Sequence, residues 1–392
     1  MSSSAPVRSW TRLDGVDLLR GLAIFFVLMN HIHIRLLGAD VLYTKYLPNQ
    51  LVHFLVWNGQ LGVQMFFVVS GFLITSISLR RWSPLSRIRL RDFYILRFAR
   101  IAPLLLALLA ILSALHFAQL QHFVVTEKTG GLPRALLAAL TFHVNVLEAR
   151  HGYLPANWDI LWSLSVEEMF YLFFPLVVLF LGRSKWFVAL LLVFVALGPF
   201  GRTTWAHGNE IWSEYCYLSG MEGIAIGCLT ALLVSRVHFS RAAVRTLGLI
   251  GAAIVSTSLI FSWQAYTGWL GRTGLNMTVL GFGTALFITA TTQMQWRSPR
   301  FLAPLLRIGQ YSYEVYLTHM FVVWTLFTLF LRLNSRMRLV PVLFVITIIV
   351  AGVLGALVSR YYSEPLNHKL RNHFGEGSTT QGSALESAPS SP

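Results

Sequence analysis

Residues 16–36 read VDLLRGLAIFFVLMNHIHIRL. A helix of about 20 mostly apolar residues is enough to cross a hydrocarbon core, so this stretch predicts a spanning helix. Comparable stretches recur at 54–79, 101–118, 161–182, 187–200, 215–235, 246–263, 274–292, 308–331 and 339–361. Together they predict an all-α, polytopic transmembrane bundle of about ten spans. The apolar piece at 137–147 is too short to count and reads as a re-entrant or interfacial segment.

Composition agrees. Of 392 residues, 55% are hydrophobic types and 12% are charged. A soluble domain carries about 25% charged residues, so too little charge is present to cover a soluble surface of this size. The same numbers exclude a disordered chain, a collagen-like fibre and a disulfide scaffold. Cys216 and Cys228 lie in one apolar stretch and form neither a disulfide framework nor a metal site.

The net charge is +15. Nucleic acid is not the expected partner, because the basic residues sit in short segments between apolar runs. Segments 1–15, 80–100, 183–186, 236–245, 293–307 and 360–392 hold twenty Lys/Arg, against ten in the opposite set of loops with Arg35. Basic excess marks cytoplasmic loops, so both termini are expected in the cytoplasm, with membrane lipid and an anionic ligand as partners. Arg332, Arg336 and Arg338 run against this locally. No A-x-A-like cleavage site follows the first apolar core, so no cleavable signal peptide is expected. The expected organisation is a cytoplasmic N-terminus at 1–15, a transmembrane domain at 16–365, and a Ser/Gly/Pro-rich disordered tail at 366–392.

Ionisable residues inside spans are costly and mark function. Arg20 and His31 lie eleven positions apart. At about 100° per residue they share one helix face, separated by roughly 16 Å of rise. Asp17 stands three before Arg20, within pairing range. Ser70-Gly71 in the second span favours close approach between helices. The basic segment that follows ends Phe93-Tyr94-Ile-Leu-Arg97-Phe-Ala-Arg100-Ile-Ala-Pro103. Arg97 and Arg100, three apart, form a two-pronged clamp suited to phosphate. Glu167 and Glu168 open another span and point to different faces. Glu168 stands three before Tyr171, which favours it as the working carboxylate. In the stretch Ser312-Tyr313-Glu314-Val-Tyr316-Leu-Thr-His319, Tyr316 and His319 share a face. His319 comes out about 16 Å deep, level with His31.

In this order, Arg20 to His31, Phe67 to Thr75, Arg97-x-x-Arg100 with Pro103, Trp162 to Tyr171 and Ser312 to His319 resemble the membrane acyltransferases of the acyltransferase 3 family, across roughly residues 10–365. The resemblance implies ten spans, cytoplasmic termini, an acyl-CoA donor (usually acetyl-CoA) and a hydroxyl acceptor, often a sugar of a surface polysaccharide. It implies a bacterial inner membrane location and O-acetyltransferase chemistry without a metal. The C-terminal hydrolase-like domain fused in some members is not found in these residues.

The residues fit that chemistry. Acyl transfer to a hydroxyl needs a base, and His31 is the candidate, with Glu167, Glu168 and His319 as catalytic partners. Arg20, Arg97, Arg100, Tyr313 and Tyr316 are the expected donor-binding set. The competing expectation is a proton-coupled transporter, since buried Arg, His and Glu also build proton relays. Such a protein is expected to carry internal repeats, and no matching halves are found.

Overall fold

The computed structural model describes residues 13–333 and 336–375. Most of the expected N-terminal segment, part of the 332–338 loop and the end of the tail lie outside those residues. Every regular element described is helical. Ten segments are long and apolar enough to cross a membrane, and the chain is an integral membrane protein.

The long helices are α1 (Asp14–Gly38), α2 (Gly59–Arg81), α3 (Leu90–Phe117), α4 (Leu161–Leu181) and α5 (Lys185–Arg202). They are followed by α6 (Tyr217–Arg236), α7 (Arg241–Ile260), α8 (Leu275–Gln293), α9 (Ser312–Arg332) and α10 (Val340–Val358). The apolar piece near 137–147 resolves into two short helices, Gly131–Leu140 and Val144–His151. They are broken at Phe142, whose φ of 60° leaves the helical region. Neither reaches the length a span requires, so successive loops keep the alternation that ten spans give. One end of the bundle carries the connections at 82–89, 182–184, 237–240 and 294–311, and is called the basic end below.

Small residues set the helix spacing. A Cβ on Gly71 would lie 2.8 Å from the carbonyl carbon of Ile224, so α2 and α6 touch backbone to backbone. Near the basic end, a Cβ on Gly309 would lie 2.8 Å from the Gly21 amide of α1. That approach accompanies a break at Tyr311. The expected span from 308 therefore divides into a helix at Ala303–Gln310 and the spanning α9.

Two placements differ from expectation. Arg202, expected in an outer loop, is buried. Its guanidinium bonds the Glu222 carboxylate of α6 and donates to the Gly274 carbonyl at 2.7 Å, while Thr278 of α8 also donates to Glu222. This pins α5, α6 and α8 through a fully paired buried ion group. The expected disordered tail is also corrected over its first residues. The chain continues from α10 through a π-helical turn at Ser359–Ser363 into α11 (Glu364–Gly375). Tyr362 donates to the Pro103 carbonyl of α3 at 3.1 Å, and Glu364 pairs with Arg100 at 3.0 Å. These contacts hold α11 against α3 although its own sequence is mostly polar.

Candidate active site

The helices leave a cavity of about 440 Å³ between α1, α2, α3, α4, α9 and α11. Along α2 its lining runs from Arg81 to Val63, eighteen positions or about 27 Å of helix rise. Exposed Arg81 and Arg371 mark its mouth at the basic end, and buried Val63 and Phe67 line its far end, called the blind end below.

Three arginines reach its inner part, and two of them are ion-paired. Arg20 donates from Nε to Ser312 Oγ at 3.0 Å, with Asp17 3.8 Å away. Arg100 lies 3.1 Å from Glu314 and 3.0 Å from Glu364. Glu314 is fully buried on α9, and a lone carboxylate there would be untenable. Arg97 stacks over the rings of Tyr171 at 5.4 Å and Phe93 at 5.9 Å. Its Nε has no hydrogen-bond partner.

The carboxylates of α4 separate in role. Tyr171 Oη donates to Glu167 Oε2 at 3.1 Å, and Ser70 Oγ stands 2.6 Å from the same phenol. The phenol has one proton, so if it serves Glu167, Ser70 donates to Tyr171. Glu167 lines the cavity and Glu168 does not. Glu168 is buried with Oε1 unpartnered. Tyr171 thus pairs with the carboxylate four positions back, rather than the one three back expected from the sequence.

Two aromatic donors of α9 line the cavity. Tyr313 lines the cavity under Arg100, whose guanidinium sits 5.4 Å from the ring, and its phenol donates to the Ile101 carbonyl at 2.8 Å. Tyr316 lines the cavity and bonds Ser163 Oγ at 2.7 Å and the Ile160 carbonyl at 3.1 Å. Behind Tyr316, with ring centroids 5.8 Å apart, lies His319. His319 in turn meets His31 edge to face, with centroids 5.0 Å apart.

Both histidines are oriented by carbonyl oxygens. His31 Nδ1 is 2.8 Å from Val27 O, and His319 Nδ1 is 2.6 Å from Tyr316 O. A carbonyl only accepts, so each neutral ring carries its proton on Nδ1 and presents Nε2 as a base. Nε2 of His319 has no partner.

Sequence reading missed several neighbours. One turn beyond His31, Arg35 stacks on Trp324 at 4.7 Å, and His122 stacks on the same ring at 3.8 Å. Asp159 approaches both Arg35 and Glu148. Glu148 is fully buried, which pushes its carboxyl well above the usual range, and the Asp159 charge adds to this. Glu148 stands between Asn145 and Arg150 in a mixed stretch that carries no signal of its burial. At the mouth, Arg81, Asn367 and Arg371 line the cavity. Among the described residues, no three His, Cys, Asp or Glu side chains converge as metal ligands.

Comparison with known proteins agrees with this architecture. The profile of the acyltransferase 3 family, described as an acyltransferase domain, matches residues 13–360. O-acetyltransferase OatA of Staphylococcus aureus (strain NCTC 8325) is 24% identical over 382 residues, covering 91% of this chain and 57% of that protein. A putative O-acetyltransferase, SACOL0978, of Staphylococcus aureus (strain COL) is 25% identical over 339 residues, covering 79% of this chain and 50% of that protein. The chain therefore spans about half the length of these relatives. No solved structure matches. With a matching profile over nearly all of its helices, the chain belongs to the acyltransferase 3 family.

Proposed function

We propose that the protein is an O-acyltransferase of the bacterial inner membrane. It takes an acyl group, acetyl in the first instance, from cytoplasmic acyl-CoA and passes it to a hydroxyl of a carbohydrate acceptor, as in modification of a surface polysaccharide. One observation carries this reading. A cavity with cationic residues along it runs from the basic end to Tyr316, and two imidazoles with basic Nε2 atoms lie behind that residue.

The donor enters from the basic end, and Arg20, Arg97 and Arg100 line its path. Its thioester comes to the blind end, past Tyr313 and Tyr316. The acceptor arrives from the other side, along the face of α1 that carries His31. His31 Nε2 takes the hydroxyl proton as the oxygen attacks the thioester carbonyl carbon. The C–O bond forms, the C–S bond breaks, and coenzyme A leaves as thiolate. The proton passes from His31 to water or to that thiolate, with His319 next to it as a second site. General-base assistance of this kind contributes about 10²–10⁴ in rate.

The test is turnover by the purified full chain in lipid nanodiscs with labelled acetyl-CoA. The expected result is thioester cleavage that depends on His31, with label transferred when an acceptor glycan is supplied. Absence of both cleavage and transfer, with acceptor supplied and the protein folded, overturns the reading. Comparing surface polysaccharide from wild-type and deletion cells by NMR identifies the acceptor.

A further inference from the structure

The inner arginines are an unpromising place for several phosphate charges. Arg20, Arg97 and Arg100 sit among Asp17, Glu167, Glu168, Glu314 and Glu364. A phosphate drawn in there would have to compete with Asp17, Glu314 and Glu364 for arginines they already pair with, where breaking a buried pair is costly.

The mouth is different. Arg81 ends α2 and Arg371 stands on α11, and both line the cavity and are exposed. Neither forms an ion pair among the described residues; Arg81 lies over the Trp82 ring at 5.4 Å. Asn367, one helical turn before Arg371, is buried and lines the same cavity, and its Oδ1 has no hydrogen-bond partner. Buried amide oxygens are rarely left unbonded, so this one marks a place where a ligand donor fits.

Resting on the acyl-CoA reading, we propose that Arg81 and Arg371 form the phosphate-binding site for the donor at the cavity mouth, with Asn367 accepting from an N–H or O–H group just inside. The inner arginines then meet the uncharged pantetheine arm and the thioester. Along α2 the distance from Arg81 to Phe66, whose ring meets that of Tyr316 at 6.2 Å, is about 22 Å, which an extended arm and the reach of the Arg81 side chain bridge together while the phosphates stay at the water interface. α11, which reads as tail in the sequence, becomes one wall of the donor site.

The experiment measures binding of acetyl-CoA and of phosphate-free S-acetylpantetheine to the full chain in zwitterionic nanodiscs. It uses wild type, Arg81→Ala, Arg371→Ala, the double Ala variant and both Arg→Lys variants. Each Ala variant is expected to weaken acetyl-CoA binding by about tenfold or more, the low end of a charged hydrogen bond. S-acetylpantetheine binding should be unchanged, and Lys should restore part of the loss. Equal losses for both ligands mean a structural role and overturn the proposal. So does wild-type acetyl-CoA affinity in the double Ala variant. A lipid phosphate is the other source of this chemistry. In that case the variants lose retention of phosphatidylglycerol on purification and keep their acetyl-CoA affinity, which also overturns the proposal. If wild type binds S-acetylpantetheine but not acetyl-CoA, the phosphate site alone is refuted. If it binds neither, the acyl-CoA reading falls with it.

Discussion

His31 on α1 and His319 on α9 meet edge to face with ring centroids 5.0 Å apart, and each is fixed through Nδ1 by a carbonyl of its own helix. Two neutral imidazoles so placed have one pair of free Nε2 atoms between them, and a proton taken by one ring repels a second on the other. His31→Ala is therefore expected to lower turnover by at least about 10², with little change in acyl-CoA affinity. The double variant with His319→Ala should lose less than the sum of the two single losses, because the rings act as a unit. Activity should fall on acidification, since protonation occupies the Nε2 lone pair. Measuring rate and donor affinity separately decides it. Near-wild-type turnover, or a defect confined to donor binding, would remove His31 from the base role.

Arg100 carries an ion-pairing role and, in the proposed reading, a donor-binding role, which one substitution confounds and a second separates. It pairs with the fully buried Glu314 and with Glu364. Arg100→Ala should destabilise the fold by about 3–5 kcal/mol, because a buried charge loses its partner. It should also weaken acyl-CoA binding, by about 1.5–3 kcal/mol if a charged hydrogen bond is lost. Adding Glu314→Gln should restore much of the stability and none of the binding. Arg97→Ala, which breaks no ion pair of this kind, should show a binding loss of similar size. Unchanged binding in both arginine variants, with thermal unfolding confirming the fold, would take them out of the donor site.

The spans were readable because crossing a bilayer imposes about 20 apolar residues on each helix. The shared face of Arg20 and His31 was readable because it follows from helical repeat alone. Pairings between distant segments were not. Nothing local in the sequence says that Arg100 meets Glu364, 264 positions away. Nor does the polar composition of α11 show that it lies on α3. Between Glu167 and Glu168, helical geometry allowed either to approach Tyr171. In the folded protein Glu167 is the one bonded, and the same phenol also meets Ser70 of α2, 101 positions away. The break at Phe142 was hidden for a related reason, since a non-glycine residue with positive φ leaves no compositional mark.

Orientation has a direct test. The basic excess predicts that the connection between α2 and α3 is cytoplasmic, and the proposed entry of acyl-CoA requires the same. Arg87 in that connection is exposed, whereas the native Cys216 and Cys228 are buried. An Arg87→Cys variant should resist a membrane-impermeant thiol reagent in intact cells and react after permeabilisation. Labelling in intact cells would invert the topology and with it the donor's direction of entry.

Glu167 is expected to matter more than Glu168. It lines the cavity and accepts from Tyr171, whose ring carries Arg97 on its face and whose oxygen also meets Ser70. Glu167→Gln replaces a charged acceptor by a neutral one and weakens the hold on Tyr171 and, through it, on Arg97. A charge-assisted hydrogen bond contributes about 1.5–3 kcal/mol. Glu167→Gln should therefore lower kcat/KM by roughly tenfold to a hundredfold. Tyr171→Phe, which removes the donor from the same bond, should give a loss of the same size, and the double variant should add little because both changes cut one link. Glu168→Gln, outside the cavity wall, should leave kcat/KM within a few-fold of wild type. Larger loss at Glu168 than at Glu167 would return the working role to the carboxylate three positions before Tyr171. Wild-type turnover in both single variants and in the pair would exclude these carboxylates from the reaction.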